Sequence, residues 1–196
     1  MTTRTRRLPA EERRRAIVQA ALRVFSAGSY AGATTAEIAR EAGVSEPVLY
    51  RHFASKRELW FACLDAAWDE FRAAVDEAIA TQLTGAGPAL PSVARWKKSL
   101  MPNLWIQGIA EAGEDREIRR AVARHMRVVH DHIALRLREH QEAGALPADR
   151  NPEAEAWVMI GGILLRSVGA RLGGLLEDDD LAAIARERTR WLRGVS

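Results

Sequence analysis

Residues 34–56 read TTAEIAREAGVSEPVLYRHFASK, two short helical segments joined by a three- or four-residue turn that contains Gly43. This is helix-turn-helix spacing, and its chemistry is duplex recognition: a major groove admits one α-helix, provided a preceding helix braces it across the phosphate backbone. Ile38, Ala39, Val44 and Leu49 are apolar at the spacing needed to hold the pair together. That leaves Ser45, Glu46, Pro47, Val48, Tyr50, Arg51 and His52 for the outward side, a polar and aromatic set suited to contact. Val48 suits a thymine methyl, a preference of about 1 kcal/mol. Glu46 places a carboxylate near phosphates, which is unfavourable unless it accepts from a cytosine amino group.

Helices must carry these residues, and helix-period patterns run the length of the chain, with no β-branched alternation and no Asn-Gly hairpin signal. The expected class is all-α. A first helix is expected from Pro9 to Ala27, with proline and two glutamates in its first turn and Ile17, Ala21, Val24 and Phe25 on one stripe. Thr34 and Thr35 are cap candidates for a second helix through Ala42, with Glu37 completing a capping-box pattern, and Ser45 for a third, barely two turns long. From Lys56 to Leu83, Trp60, Leu64, Trp68, Phe71, Val75 and Ile79 recur at helical spacing. After the Gly- and Pro-rich break at 85–92, helices are expected at 92–111, 115–122, 124–143, 152–175 and 178–193, about nine in all. The organisation is a helix-turn-helix domain over residues 1–55 and a larger helical domain over 56–196.

At this point the string AGVSEPVLYRHFASKRELW is similar to the signature of the TetR/AcrR family of regulators, including its Leu-Tyr-x-His-Phe run and the lysine three residues later. The resemblance implies that the third helix reads base edges, with Glu46, Pro47, Val48 and His52 at the groove or its rim. It assigns phosphate contacts to Tyr50, Thr35 and Lys56, and Thr34 joins this set. A core tyrosine with its hydroxyl at the rim is the other reading of Tyr50, and plain solvation the other reading of Lys56. Beyond the motif the chain resembles the family in helix order and length.

The larger domain has the makings of a pairing surface and a pocket. Trp157, Ile160, Gly161, Leu164, Val168, Leu172 and Leu175 line one side of a helix that Val158, Met159, Ile163 and Leu165 make apolar nearly all round. With Leu181, Ile184, Ala185, Trp191 and Leu192 on the last helix, two copies would form a four-helix interface, an arrangement the resemblance also implies; a fully internal helix is the competing reading. Trp68, Phe71, Trp96, Leu100, Leu104, Trp105, Met126 and Val129 are candidates to wall a cavity for a lipophilic or aromatic effector, or simply core. His125, His130, His132 and His140 share one segment, but without a metal-site spacing or a cysteine partner they read as packed or solvated, and no metal or cofactor is expected.

Charge separates the two parts. Residues 1–60 hold eleven Lys and Arg against six Asp and Glu, whereas 61–196 hold eighteen against twenty, so a basic head sits on a near-neutral body. Arg4, Arg6 and Arg7 form an N-terminal arm that either tracks the minor groove or stands as a solvated tail. With 47% hydrophobic residues, no apolar run of spanning length, no signal-like segment and a single cysteine, the expectation is a cytoplasmic protein with no membrane partner. No nucleophile elbow or Gly-rich phosphate loop is present, so an enzyme such as a small hydrolase is the weaker alternative, as is a DNA-architectural protein without effector. The resulting expectation is a homodimeric transcriptional repressor on double-stranded operator DNA, released by a small molecule.

Overall fold

Pro9 stands at the N-cap of the first helix with Glu11 and Glu12 in its first turn, where carboxylates complement the exposed N–H groups. The computed structural model describes residues 9–84 and 100–194, and their helices are α1 (Ala10–Ala27), α2 (Thr35–Glu41), α3 (Glu46–His52), α4 (Lys56–Thr84), α5 (Met101–Glu111), α6 (Arg116–Glu142), α7 (Pro152–Arg171) and α8 (Asp178–Arg193). No strand occurs among the described residues. None of their helices is long and apolar enough to cross a membrane.

Two compact units divide the chain, one extending to Ala66 and the other starting at Ala67, so the boundary falls inside α4. In the first, Ile17, Leu22 and Phe25 of α1 share a core with Ile38, Leu49, Phe53, Leu59, Trp60 and Leu64. Full burial of each such side chain is worth roughly 1.5–3 kcal/mol. Tyr30, in the α1–α2 loop, stacks on Phe25 at 6.0 Å and meets the edge of Trp60 at 5.7 Å.

In the second unit, Trp68, Phe71, Val75 and Ile79 of α4 are buried, as are Met101, Leu104 and Trp105 of α5 and Val122, Val129, Ile133 and Leu137 of α6. Side-chain caps start α6 and α7. Asp115 Oδ1 accepts from the backbone N–H groups of Glu117 and Ile118 at 2.8 and 3.0 Å, and Asn151 Oδ1 from those of Glu153 and Ala154 at 3.0 and 3.2 Å.

The structure differs from expectation at several helix ends. The segments 115–122 and 124–143 are one helix, because Ala121, Val122, His125 and Val129 continue a single buried stripe through a stretch with no glycine or proline. α7 stops at Arg171 rather than 175, since Gly173 and Gly174 take φ of +72° and +104°, which no α-helix continues. Ser45 occupies the N-cap of α3 without a side-chain cap bond, and Pro47 supports that first turn instead. The expected helix at 92–111 is seen from Met101; residues 92–99, with Trp96, lie outside the described residues.

Candidate nucleic-acid interface

The turn between α2 and α3 is set by Gly43, whose φ of +66° lies where L side chains are strained. Its N–H donates to the Arg40 carbonyl at 3.1 Å and that of Val44 to the Ala39 carbonyl at 2.9 Å, closing the end of α2. Thr34 caps the other end, its Oγ1 accepting from the Glu37 N–H at 3.1 Å. Ile38, Ala39 and Leu49 are buried at the joint, with Val44 half-buried beside them.

This packing leaves one face of α3 outward. Ser45, Pro47, Tyr50 and Arg51 are exposed, Glu46, Val48 and His52 are half-buried, and on the α2 side Thr34 is exposed and Thr35 half-buried. A polar network ties the two helices. Thr35 Oγ1 donates to Glu46 Oε1 at 2.5 Å and lies 3.1 Å from Tyr50 Oη. Glu46 is therefore engaged within the protein, accepting from the first residue of α2.

Lys56 occupies a place that spacing does not reveal. Its ammonium donates to the carbonyls of Tyr30 at 2.8 Å, Ala33 at 3.1 Å and Ala31 at 3.4 Å, and sits 4.5 Å from the Tyr30 ring centroid. It fastens the α1–α2 loop, and so Thr34 and Thr35, to the start of α4. A side-chain cap at Ser55 was also not read from the sequence: Ser55 Oγ accepts from the Glu58 N–H at 3.1 Å, while Glu58 Oε2 reaches one residue beyond the cap and accepts from the Ala54 N–H at 2.7 Å. Arg14 lies 4.7 Å from the Phe53 ring centroid, and Arg23 Nε donates to Glu41 Oε1 at 2.8 Å between α1 and α2.

In the second unit the effector candidates Trp68, Phe71, Leu104, Trp105 and Val129 are core, with Leu100 and Met126 half-buried. Trp105 Nε1 donates to His125 Nδ1 at 2.9 Å, and Trp68 meets the edge of the His132 ring at 5.3 Å. His132 Nε2 lies 2.7 Å from Asp76 Oδ1, and His130 lies between Asp131 Oδ1 and the Glu153 carbonyl at 2.8 and 3.1 Å. These histidines are spread over separate partners, which is packing rather than ligand geometry. A cleft of about 250 Å³ lies elsewhere, among Val75 and Ala78 of α4, Val158 to Arg166 of α7 and Leu181 to Arg188 of α8; none of the effector candidates among the described residues lines it.

Of the pairing residues, Trp157, Gly161, Val168, Leu172, Ile184 and Trp191 are exposed and Leu164 and Leu181 half-buried. Ile160, Ala185 and Leu192 differ: at 2%, 6% and 1% exposure they belong to the core, Ile160 because α7 turns that side inward beside Ala156 and Ile163. Val158, Leu165 and Leu175 join the exposed apolar set.

A helix presented across a braced glycine turn, one face buried on Leu49 and the other open, defines a helix-turn-helix DNA-binding protein. Comparison with known proteins makes this specific. Residues 17–63 match the family model described as "Bacterial regulatory proteins, tetR family". The regulator BetI of Rhizobium meliloti is 32% identical over 162 residues, covering 79% of this chain and 77% of its own length. The transcriptional activator FasR of Mycolicibacterium smegmatis is 46% identical over 78 residues, 40% of this chain, and the match spans only 36% of FasR's length. The crystal structure of a TetR-family regulator from Rhodococcus sp. superposes with a TM-score of 0.74 at 21% identity over 93% of this chain and 99% of that one, and shows the same fold. The chain belongs to the TetR family of DNA-binding transcriptional regulators.

Proposed function

We propose that this protein is a homodimeric, effector-responsive repressor that works in the cytoplasm by binding alone, without catalysis. The observation that carries the reading is the outward face of α3. Its Leu49 is fully buried while Ser45, Pro47, Tyr50 and Arg51 stand in solvent around half-buried Glu46, Val48 and His52. Ser45, Pro47, Val48, Arg51 and His52 would meet the major groove, with Thr34 and Tyr50 holding phosphates and Thr35, Glu46 and Lys56 fixing the geometry.

Pairing follows from the apolar residues left exposed on α7, just after it and on α8, including Leu172 at 66%, Leu175 at 55% and Trp191 at 46% exposure. Side chains of this size gain by being covered, and two α7–α8 pairs related by a two-fold axis cover one another. A dimer engages two half-sites only when its recognition helices stand about one helical turn, roughly 34 Å, apart. A ligand that binds a differently spaced dimer more tightly shifts the population away from DNA, and the operator is released without any bond being broken.

Selection of bound fragments from random duplex DNA tests the reading. A palindrome with half-site centres about one turn apart is expected. Recovery of no sequence preference over bulk competitor would overturn it.

A further inference from the structure

Residues 118–130 on α6 hold Arg119, Arg120, Arg124 and Arg127 and no carboxylate. All four arginines are exposed, and at about 3.6 residues per turn they fall on one side of the helix. Arg127 lies 5.0 Å from the Trp157 ring centroid. Among the described residues no carboxylate pairs with Arg119, Arg120 or Arg124. Such a face on a near-neutral domain suits an anionic partner.

The arginines border the apolar face assigned to pairing. His130 Nε2 lies 3.1 Å from the Glu153 carbonyl, and Arg127, one turn back on α6, meets Trp157, one turn on along α7. The two helices therefore run antiparallel, and Arg119 to Arg124 stand toward the later turns of α7. Trp157 is 40% exposed and shares its face with Val168 and Leu172. Past that face the chain turns through Gly173 and Gly174 into Glu177, Asp178, Asp179 and Asp180, all exposed. Asp180 Oδ2 accepts from the Glu177 N–H at 3.0 Å, whereas Asp178 and Asp179 pair with no cation among the described residues. A helix start favours carboxylates in any case, but that preference does not account for the uncompensated arginines on α6.

We propose that in the dimer each copy's α6 arginine face receives the Glu177–Asp180 run of the other copy, and that this reciprocal contact selects a second copy of this chain as partner. A two-fold axis makes such a contact twice, since residue i meeting residue j requires j to meet i. Among the described residues the two charge sets do not pair within one chain, and a second copy supplies each with what it lacks. Exposed ion pairs add little affinity one by one, but opposed like charges exclude a wrong partner, so the contact acts on selectivity. It presupposes the α7–α8 pairing read above.

Dimer dissociation of the full chain, measured by sedimentation at low and high salt, tests this with two charge reversals. One combines Arg119→Glu, Arg120→Glu and Arg124→Glu; the other combines Glu177→Lys, Asp178→Lys and Asp179→Lys and keeps Asp180. Each reversed protein sets like charge against like charge in its own dimer. At low salt each alone is expected to dissociate at least about tenfold more readily than wild type, with helical circular dichroism retained. Mixed in equal amounts the two are complementary at both contacts, and native mass spectrometry is expected to show a heterodimer as tight as the wild-type dimer. High salt is expected to narrow these differences. Reversed proteins that dimerise like wild type overturn the proposal, as does a pair of weakened variants that mixing does not rescue. An arginine reversal that leaves dimerisation intact but weakens binding to bulk duplex DNA overturns it in favour of a nucleic-acid surface. A dimeric wild type with unaffected variants leaves the α7–α8 pairing standing, whereas a monomeric wild type sinks both.

Discussion

Tyr50 Oη on α3 lies 3.1 Å from Thr35 Oγ1 on α2, and the same threonine hydroxyl donates to Glu46 at the start of α3. A single hydroxyl thus links α2 to α3, with Tyr50 itself 48% exposed on the surface proposed to meet phosphates. Phosphate contacts position a protein without reading sequence. Tyr50→Phe is therefore expected to weaken operator and competitor DNA alike, each by about 1 kcal/mol, with thermal stability nearly unchanged. Fluorescence anisotropy with both duplexes checks this, and a loss confined to the operator would place Tyr50 on a base instead.

Lys56 faces three backbone carbonyls of the α1–α2 loop. Hydrogen bonds from a charged donor are worth roughly 1.5–3 kcal/mol, so Lys56→Met is expected to lower unfolding free energy by about that amount. A lysine that only met phosphates would leave the urea midpoint of the DNA-free protein where it was.

How much of this was legible beforehand follows from the range of each interaction. Helices α1 to α4 could be drawn from sequence because Pro9, Thr34, Gly43 and the Trp60–Leu64–Trp68 period act within one or two turns. The outward face of α3 was readable for the same reason, since burying Leu49 at a known turn fixes which neighbours remain outside. Lys56 was not, because its partners lie more than twenty residues away and no period announces an ammonium reaching carbonyls. The pocket was missed for a related reason: aromatic residues such as Trp105 attract attention, yet Trp105 closes on His125 inside the core, whereas the cleft is formed by small and aliphatic residues from three distant segments. Ile160 shows the ambiguity of a helix apolar on nearly every side, where periodicity cannot choose the inward face.

Cys63 is fully buried, and its thiol donates to the Val18 carbonyl at 3.7 Å. Burial disfavours the thiolate and pushes the thiol well above its ordinary range. Native protein is therefore expected to react with a disulfide reagent only as fast as it opens. The unfolded chain ionises from pH about 8.5 while the folded chain stays neutral, so folding stability is full below that pH and falls above it by about 1.4 kcal/mol per pH unit. Urea titrations of wild type against Cys63→Ala isolate the effect: the difference between the two should be flat below pH 8 and narrow above 9. A difference independent of pH would remove the buried thiol from the account.

Ile184 and Ile160 separate pairing from folding. Ile184 is 49% exposed on α8 and Ile160 is 2% exposed on α7, although both stood on the same expected interface. A carboxylate at Ile184 reaches solvent in a lone chain but is desolvated without a partner once two copies meet, a cost of several kcal/mol in the paired state alone. Ile184→Glu is expected to give a folded monomer by sedimentation and to lose operator binding, because one reading head forfeits the gain of engaging two half-sites together. Ile160→Ala instead removes buried methyl groups and is expected to cost about 2–5 kcal/mol of folding stability, with dimerisation following whatever fraction remains folded. Should Ile184→Glu remain dimeric and bind the operator as before, the pairing surface lies elsewhere than α7 and α8, and the spacing of the two α3 helices is set by a different contact.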